Sequence, residues 1–313
     1  MPDGEVIRFL HTGWDRKLGL YWERSILNGA EHRRKKRSIL PGSGGKTVQK
    51  QLQKSDLAVV ENPGDPPHFP DVNYFILPRW MEMVIDTEEG LNRPGVKEIR
   101  RRIRKHALSY EFSRVPADYE IFYHRMYKPL VMQKHGETGE VADYKMFRDR
   151  FIRQQAVLLL IRSADKLVAA SLIAELPVNK RRILAFGIMD GKTEYERMGV
   201  HAAAYYFTML HYSRNGYTSI QCGSSMPVVL DGVTQFKIRL GAKPFLKDLP
   251  ERNKYAFLIL NPSRSVIRVL HKNPLFHLED GSLKTACFPD PQVLESTRGF
   301  EKYMKLIRCR NIE

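Results

Sequence analysis

The sequence predicts an α/β fold with a mixed, mostly antiparallel sheet flanked by helices, and three features of its middle third predict it. Three apolar runs lie in series, at 156–162, 167–176 and 183–189. Polar stretches of turn length, Ser163-Ala-Asp-Lys166 and Pro177-Val-Asn-Lys180, separate them, and short apolar runs punctuated in this way read as a β-meander. A long helical segment follows, starting at Glu194 or Gly199 and ending at Arg214, with Gly216 placed as a C-terminal cap. A strand, Tyr217-Thr-Ser-Ile-Gln-Cys222, then ends in Gly223-Ser224-Ser225 and leads into a closing segment over 231–244.

The other elements follow in chain order. An amphipathic helix is expected over 18–27, and the basic, Gly-rich stretch 32–54 reads as a loop or arm. Within it, Pro41-Gly-Ser-Gly-Gly-Lys-Thr47 has the flavour of a phosphate-binding loop but carries Leu40 where that motif needs glycine. Asn62-Pro-Gly-Asp-Pro-Pro-His-Phe-Pro70 is a connector, because proline removes backbone donors and restricts its neighbour. Short strands are expected over 74–77 and 83–86. A helix over 94–108 starts with Pro94 near its first turn, and a strand covers 110–114. Asp118 then caps a helix running to about Lys134, with Tyr119, Phe122, Tyr123, Met126 and Tyr127 on its heavier face. A further helix spans 144–154. Beyond Pro244 come a strand over 255–260 and a last helix over 299–308.

Composition narrows the class. The 313 residues allow one or two domains with a real core, and 42% hydrophobic with 27% charged residues is an ordinary globular balance. No apolar run approaches the roughly 18 residues of a membrane helix, and the first residues lack the pattern of a signal peptide, so the cytoplasm is the expected compartment. Cys222, Cys287 and Cys309 show no metal-ligand spacing, so no metal is expected; Cys222 reads as a small core residue. The net charge of +16 is unevenly placed. Between Arg33 and Lys54 there are eight Lys or Arg and no acid, and between Lys97 and Arg114 seven against Glu98 and Glu111. Such clusters suit RNA, a cofactor phosphate or an acidic carrier protein, or serve as a solvated basic face.

From about Lys97 to Pro244 the chain resembles the GNAT superfamily of N-acyltransferases, in its FemAB-like branch. Ile99-Arg-Arg-Arg-Ile-Arg-Lys-His106 with Leu108-Ser-Tyr-Glu111 looks like that branch's basic helix and following strand. Phe122-Tyr-His-Arg-Met-Tyr-Lys-Pro129, ending in Lys134-His-Gly136, looks like its aromatic helix. Gly232-Val-Thr-Gln-Phe-Lys237 with Leu240-Gly-Ala242 looks like its closing signature. The resemblance implies a GNAT-like sheet, with residues 1–95 as a degenerate first half of a tandem pair or a private extension, an acyltransferase domain over 96–261, and a C-terminal extension over 262–313. The chain departs from the pattern at Glu196-Arg-Met-Gly-Val-His201, where the superfamily's pyrophosphate loop has a small residue at the position of His201.

What the resemblance implies for chemistry is direct attack of an amine on a thioester inside a splayed sheet, with acyl-CoA or an acyl carrier protein thioester as co-substrate. On the donor side it implies Gly187 and Ile188 on the third apolar run, Gly199, Val200 and His201 at the helix start, Ser224 after the next strand, and Lys237 and Arg239 in the closing segment. A helix N-terminus offers unpaired N–H groups and partial positive charge to a pyrophosphate. Gly187 suits a bulge or close backbone approach, or else plain packing. Candidate acid–base groups are Glu175, His124, His135 and Tyr127, with Lys237 as a catalytic companion; Glu175 ends an apolar strand, where desolvation favours a proton. Two rival readings stand beside the thioester-dependent N-acyltransferase acting on a small-molecule or peptide amine. One is an aminoacyl-tRNA-dependent transferase of the FemAB type, using the clusters at 33–54 and 97–114 for tRNA. The other is a non-catalytic RNA-binding protein on a degenerate GNAT scaffold.

Overall fold

The computed structural model of the chain describes residues 7–12, 22, 26, 34–39, 50–61, 73–136, 141–176, 180–245, 254–289 and 308–311. In chain order the strands are β1 (Ile7–Thr12), β2 (Arg34–Ile39), β3 (Leu57–Glu61), β4 (Asn73–Pro78), β5 (Met81–Asp86), β6 (Leu108–Ser113), β7 (Ala156–Ser163), β8 (Lys166–Leu176), β9 (Lys180–Ile188), β10 (Ser219–Ser225), β11 (Ala242–Phe245), β12 (Lys254–Ile259), β13 (Leu275–Glu279), β14 (Ser282–Cys287) and β15 (Arg308–Asn311). The helices are α1 (Thr87–Asn92), α2 (Val96–Lys105), α3 (Pro116–Ile121), a π turn (Phe122–Tyr127), α4 (Lys128–His135), α5 (Tyr144–Ile152), a 3-10 turn (Met189–Gly191), α6 (Thr193–Met198), α7 (Val200–Arg214), α8 (Gly232–Arg239) and α9 (Arg264–Lys272). The chain is an α/β protein with two mixed sheets and flanking helices, as the sequence predicts.

Two compact units share these elements: residues 1–81, 225–235 and 246–313 form one, and residues 82–224 with 236–245 form the other. The first unit is built on a sheet of order β15-β14-β13-β4-β12-β3-β1-β2. β1 pairs in parallel with both β2 and β3, and β12 runs antiparallel between β3 and β4. Its core packs Ile7, Phe9, Leu57, Val59, Tyr255 and Phe257 around Trp22 and Leu270. The basic stretch at 34–39, expected as a loop, is instead strand β2 at the sheet's edge. Consecutive Lys and Arg are tolerable there because charge on an edge strand discourages further pairing.

The second unit has the sheet order β11-β5-β10-β9-β8-β7-β6. From β6 to β9 every pairing is antiparallel, which is the meander read from the sequence. β7 shows no apolar–polar alternation because both faces are covered, and its first six residues are all buried. Leu158, Leu160, Ala170, Leu172 and Ala185 pack beneath Tyr119, Phe122, Met126, Phe147 and Phe151, while α7 packs against β6, β7 and β8 and against α1 and α2.

Local details differ from expectation in three places. The helix expected from Asp118 to Lys134 starts at Pro116, has Val115 as its N-cap residue, and is interrupted by the π turn. Asp118 accepts from the Ser113 hydroxyl instead. A π turn widens the helix so that residues five apart align, and Phe122 stacks on Tyr127 with ring centroids 6.0 Å apart. β10 ends in Gly223-Ser224-Ser225 as expected but starts at Ser219 rather than Tyr217. The helices expected over 18–27 and 299–308 lie largely outside the described residues, although Trp22 and Ile26 are helical and buried. The glycine-rich segment 41–47 and the connector 62–70 lie outside them too.

Candidate functional site

In the second unit, β10 lies beside β9, the last strand of the meander. β9 and β10 pair in parallel through Gln221 and Arg182, near the start of both strands. β9 carries a bulge just beyond that contact: Leu172 faces Ala185 and Ile173 faces Ile183, so Leu184 is the extra residue. A bulge adds twist and takes a residue out of the ladder. β9 therefore kinks two residues past its register contact with β10, and Gly187 is not the bulged position.

Gly187 is a packing glycine. A Cβ there would stand 2.5 Å from the Tyr127 backbone nitrogen and 2.6 Å from the Met126 carbonyl carbon. The π turn lies directly on β9 at this point. Ile188, beside it, is buried.

The end of β9, the start of α7 and the turn of α8 meet in an aromatic stack. The His201 ring lies 4.5 Å from Phe186 and 4.6 Å from Phe236, nearly parallel to the latter, with Tyr205 edge-on at 5.4 Å. Burial, and next the nearby Lys237 ammonium, push the His201 pKa down to about 4. The imidazole is neutral at pH 7. Lys237 is itself buried, and its ammonium donates to the carbonyls of Gly223 (3.2 Å) and Ser224 (2.8 Å). It clamps the far end of β10 onto α8. The Ser224 hydroxyl donates to Glu82 Oε1 at 3.0 Å, and Arg182 bonds the same oxygen at 2.8 Å, so β5, β9 and β10 are tied together. Arg239 is exposed at the end of α8.

Gly199 joins α6 to α7 in the left-handed region, φ +84°. The first bond from α7 back to its cap is Ala203 N–H to the Gly199 carbonyl, 3.0 Å; Val200, at the helix start, is fully buried. A Cβ at 199 would meet Arg102 Cδ at 3.0 Å. Arg102, on α2, donates to the Arg197 carbonyl at 3.4 Å and to Glu98 at 2.9 Å. It brings a guanidinium to a helix N-terminus, where an anion is favoured. Sequence reasoning counted Arg102 only as one charge of a basic cluster, since nothing local links residue 102 to residue 199.

The acid–base candidates are not gathered here. Glu175 faces Arg181 across the β8–β9 ladder, whereas Ala170 faces Gly187; at about 3.3 Å per residue the two levels are some 17 Å apart. Both Glu175 oxygens are taken, one by Arg114 (2.5 Å) and one by Arg181 (3.4 Å). The Tyr127 hydroxyl accepts from the Ala142 N–H at 3.0 Å, a contact that anchors the chain before α5. His124 is exposed beside Glu120. His135 is the last residue of α4, and its side chain lies outside the described residues.

No protein-family model and no curated protein matches the chain. Among solved structures, a domain from Agrobacterium fabrum named as the C-terminal domain of a lysylphosphatidylglycerol synthetase aligns over 72% of this chain and 74% of its own, at 11% identity and a TM-score of 0.41. A GCN5-related N-acetyltransferase from Kribbella flavida aligns over 70% of this chain and 74% of its own, at 13% identity and a TM-score of 0.32. Another from Sphaerobacter thermophilus aligns over 70% and 66%, at 12% identity and 0.33. At these values each is something the chain is similar to and no more.

Proposed function

We propose that the second unit is an N-acyltransferase that moves an acyl group from a thioester, on CoA or on an acyl carrier protein, to an amine by direct attack. One observation carries this reading: β9 and β10 run parallel at Arg182 and Gln221, and β9 bulges two residues beyond that contact, which sets the two strands to part there. A parting of two parallel strands exposes backbone N–H groups that can receive an acyl-donor arm. Around Leu184 such a group stands ready to polarise a carbonyl and hold the oxyanion that forms as nitrogen attacks. Gly199, Arg102 and the start of α7 suit the donor's pyrophosphate. Attack needs a neutral amine, carbonyl and nitrogen held in contact, and the loss of one proton from nitrogen as the thiolate leaves. Glu175 is held by two guanidinium groups and is not assigned that proton.

A second reading has its own observation. On α2, Arg101 and Arg102 pair with Glu98, but Lys97, Arg100, Arg104 and Lys105 are also exposed. That surplus favours a polyanionic donor, aminoacyl-tRNA or an acidic carrier protein, whose binding weakens steeply with salt.

The test is thermal stabilisation by acetyl-CoA, a long-chain acyl-CoA and bulk aminoacyl-tRNA at two salt concentrations. A CoA ester that stabilises the protein, with the effect lost in Gly199→Val at unchanged far-UV circular dichroism, supports the thioester reading. A response to tRNA alone, fading with salt, moves the assignment to the second reading. Indifference to both CoA esters in the parent protein removes CoA as donor.

A further inference from the structure

α7 is 15 residues long and runs from Val200, next to Gly199, to Arg214. At about 1.5 Å per residue its two ends lie roughly 20 Å apart, and the C-terminal end opens on a different feature. Here residues of β6 to β9, Arg114, the last turns of α7 and the turn after it line an open cleft of about 610 Å³. That volume is in the range of small-molecule sites.

Its walls divide by chemistry. The apolar lining is Phe112, Val157 and the His211 ring, which lies 4.1 Å from Phe112. Burial lowers the His211 pKa, so this imidazole is neutral at pH 7. The ionic lining is a row, Arg114–Glu175–Arg181. Arg181 is held flat: its guanidinium lies 4.5 Å from the centre of the Tyr217 ring and 5.4 Å from that of Tyr212, and it donates to the Tyr217 hydroxyl at 2.6 Å. Arg114 is steadied by the Ala156 carbonyl at 3.1 Å.

Counting charge gives the sign of the ligand. Two guanidinium groups face one carboxylate, which leaves one positive charge over. The helix end does not cancel it. The carbonyls of His211, Tyr212 and Ser213 near that end already accept from the N–H groups of Asn215, Gly216 and Tyr217 and from the Asn215 amide, which leaves less of their charge to offset the guanidinium groups. Phe112 and the His211 ring, tilted 44° to each other, offer aromatic surface in the same cleft as a guanidinium held on two rings, and together they favour a ligand with an aromatic body and an anionic end, because Arg forks match carboxylates in plane.

We propose that this cavity is a binding site for an aromatic monocarboxylate, its ring against Phe112 and His211 and its carboxylate on Arg114 and Arg181. The site is independent of the acyl-transfer reading.

The probe is 2-naphthoate, titrated into the full chain while the histidine ring resonances are followed, with 2-naphthylmethylamine and inorganic phosphate in parallel. His211→Gln assigns the resonance. The expected result is a saturable shift of the His211 signals with naphthoate, none with the amine, and weaker binding of phosphate. Arg114→Gln weakens naphthoate binding by about tenfold or more, as loss of a charge-assisted pair implies. Val157→Phe, which narrows the cavity and keeps its charges, weakens it as well and so covers the case in which an Arg substitution unfolds the strand ends. Gly199→Val leaves naphthoate binding unchanged, which separates this site from the donor reading. Absence of a saturable response, tighter binding of the amine or of phosphate, or unchanged affinity in folded Arg114→Gln would each overturn the proposal.

Discussion

His201 shows how a single residue ties packing to pH. Its folded pKa is about 4, against about 6.5 in an unfolded chain. The unfolded state therefore binds the proton first as pH falls. The stability that depends on a neutral ring is complete above pH 6.5 and is lost as pH drops through the folded value. By pH 4.5 the loss is on the order of 2–3 kcal/mol. Urea unfolding at pH 7 and pH 4.5 should show that the difference shrinks in His201→Phe, which keeps a ring between Phe186 and Phe236; an equal difference in both proteins would mean the ring titrates normally. Lys237 makes a related point. Its ammonium is spent on two carbonyls, so Lys237→Met should cost about 2–4 kcal/mol of stability by orphaning them, read from the shift in urea midpoint. The sequence singled out Lys237 through its motif. Which atoms meet the ammonium depends on where β10 ends, and nothing local to residue 237 encodes that.

At the scale of the element, the aromatic segment 122–127 was legible as a buried face but not as a π turn. Helical spacing of three and four was taken from the residue pattern, yet a five-residue repeat brings Phe122 over Tyr127. The wider turn also lowers the backbone of Met126 and Tyr127 onto β9, and Gly187 is the residue that allows the approach. Gly187→Ala should then destabilise the protein by about 1–3 kcal/mol through overpacking, because the atoms it meets are backbone and cannot rotate away. Equilibrium unfolding checks this, and a change under 0.5 kcal/mol would mean that the turn yields. Gly199 poses a different constraint, since φ +84° is costly for any other residue. The strand β2 was missed for a plain reason: charge density predicts exposure, and an edge strand is exposed while still paired on one side.

Across the whole molecule, the first sheet takes β12, β13, β14 and β15 from the second half of the chain. β12 lies between β3 and β4, so the early strands lose their central partner without it. A chain ending at residue 245 should keep a protease-resistant core over 82–224 and lose protection of strands β1, β3 and β4. Equal protection of both regions would show that the early strands hold together alone. Among the described residues no helix is long and apolar enough to cross a membrane.

By itself the sequence determined the α/β class, the meander, the helix after it and the strand beyond, because apolar period and turn chemistry are local properties that survive in any context. It also marked Gly187, Gly199, His201 and Lys237 as positions of interest. Only the tertiary structure decided what each one touches. The bulge at Leu184, the guanidinium of Arg102 over Gly199, the placing of Glu175 far from Gly187 and the cavity at the end of α7 all arise from residues distant in sequence. Strand order and register bring such residues together, and those are settled by packing of the whole core rather than by any stretch of it.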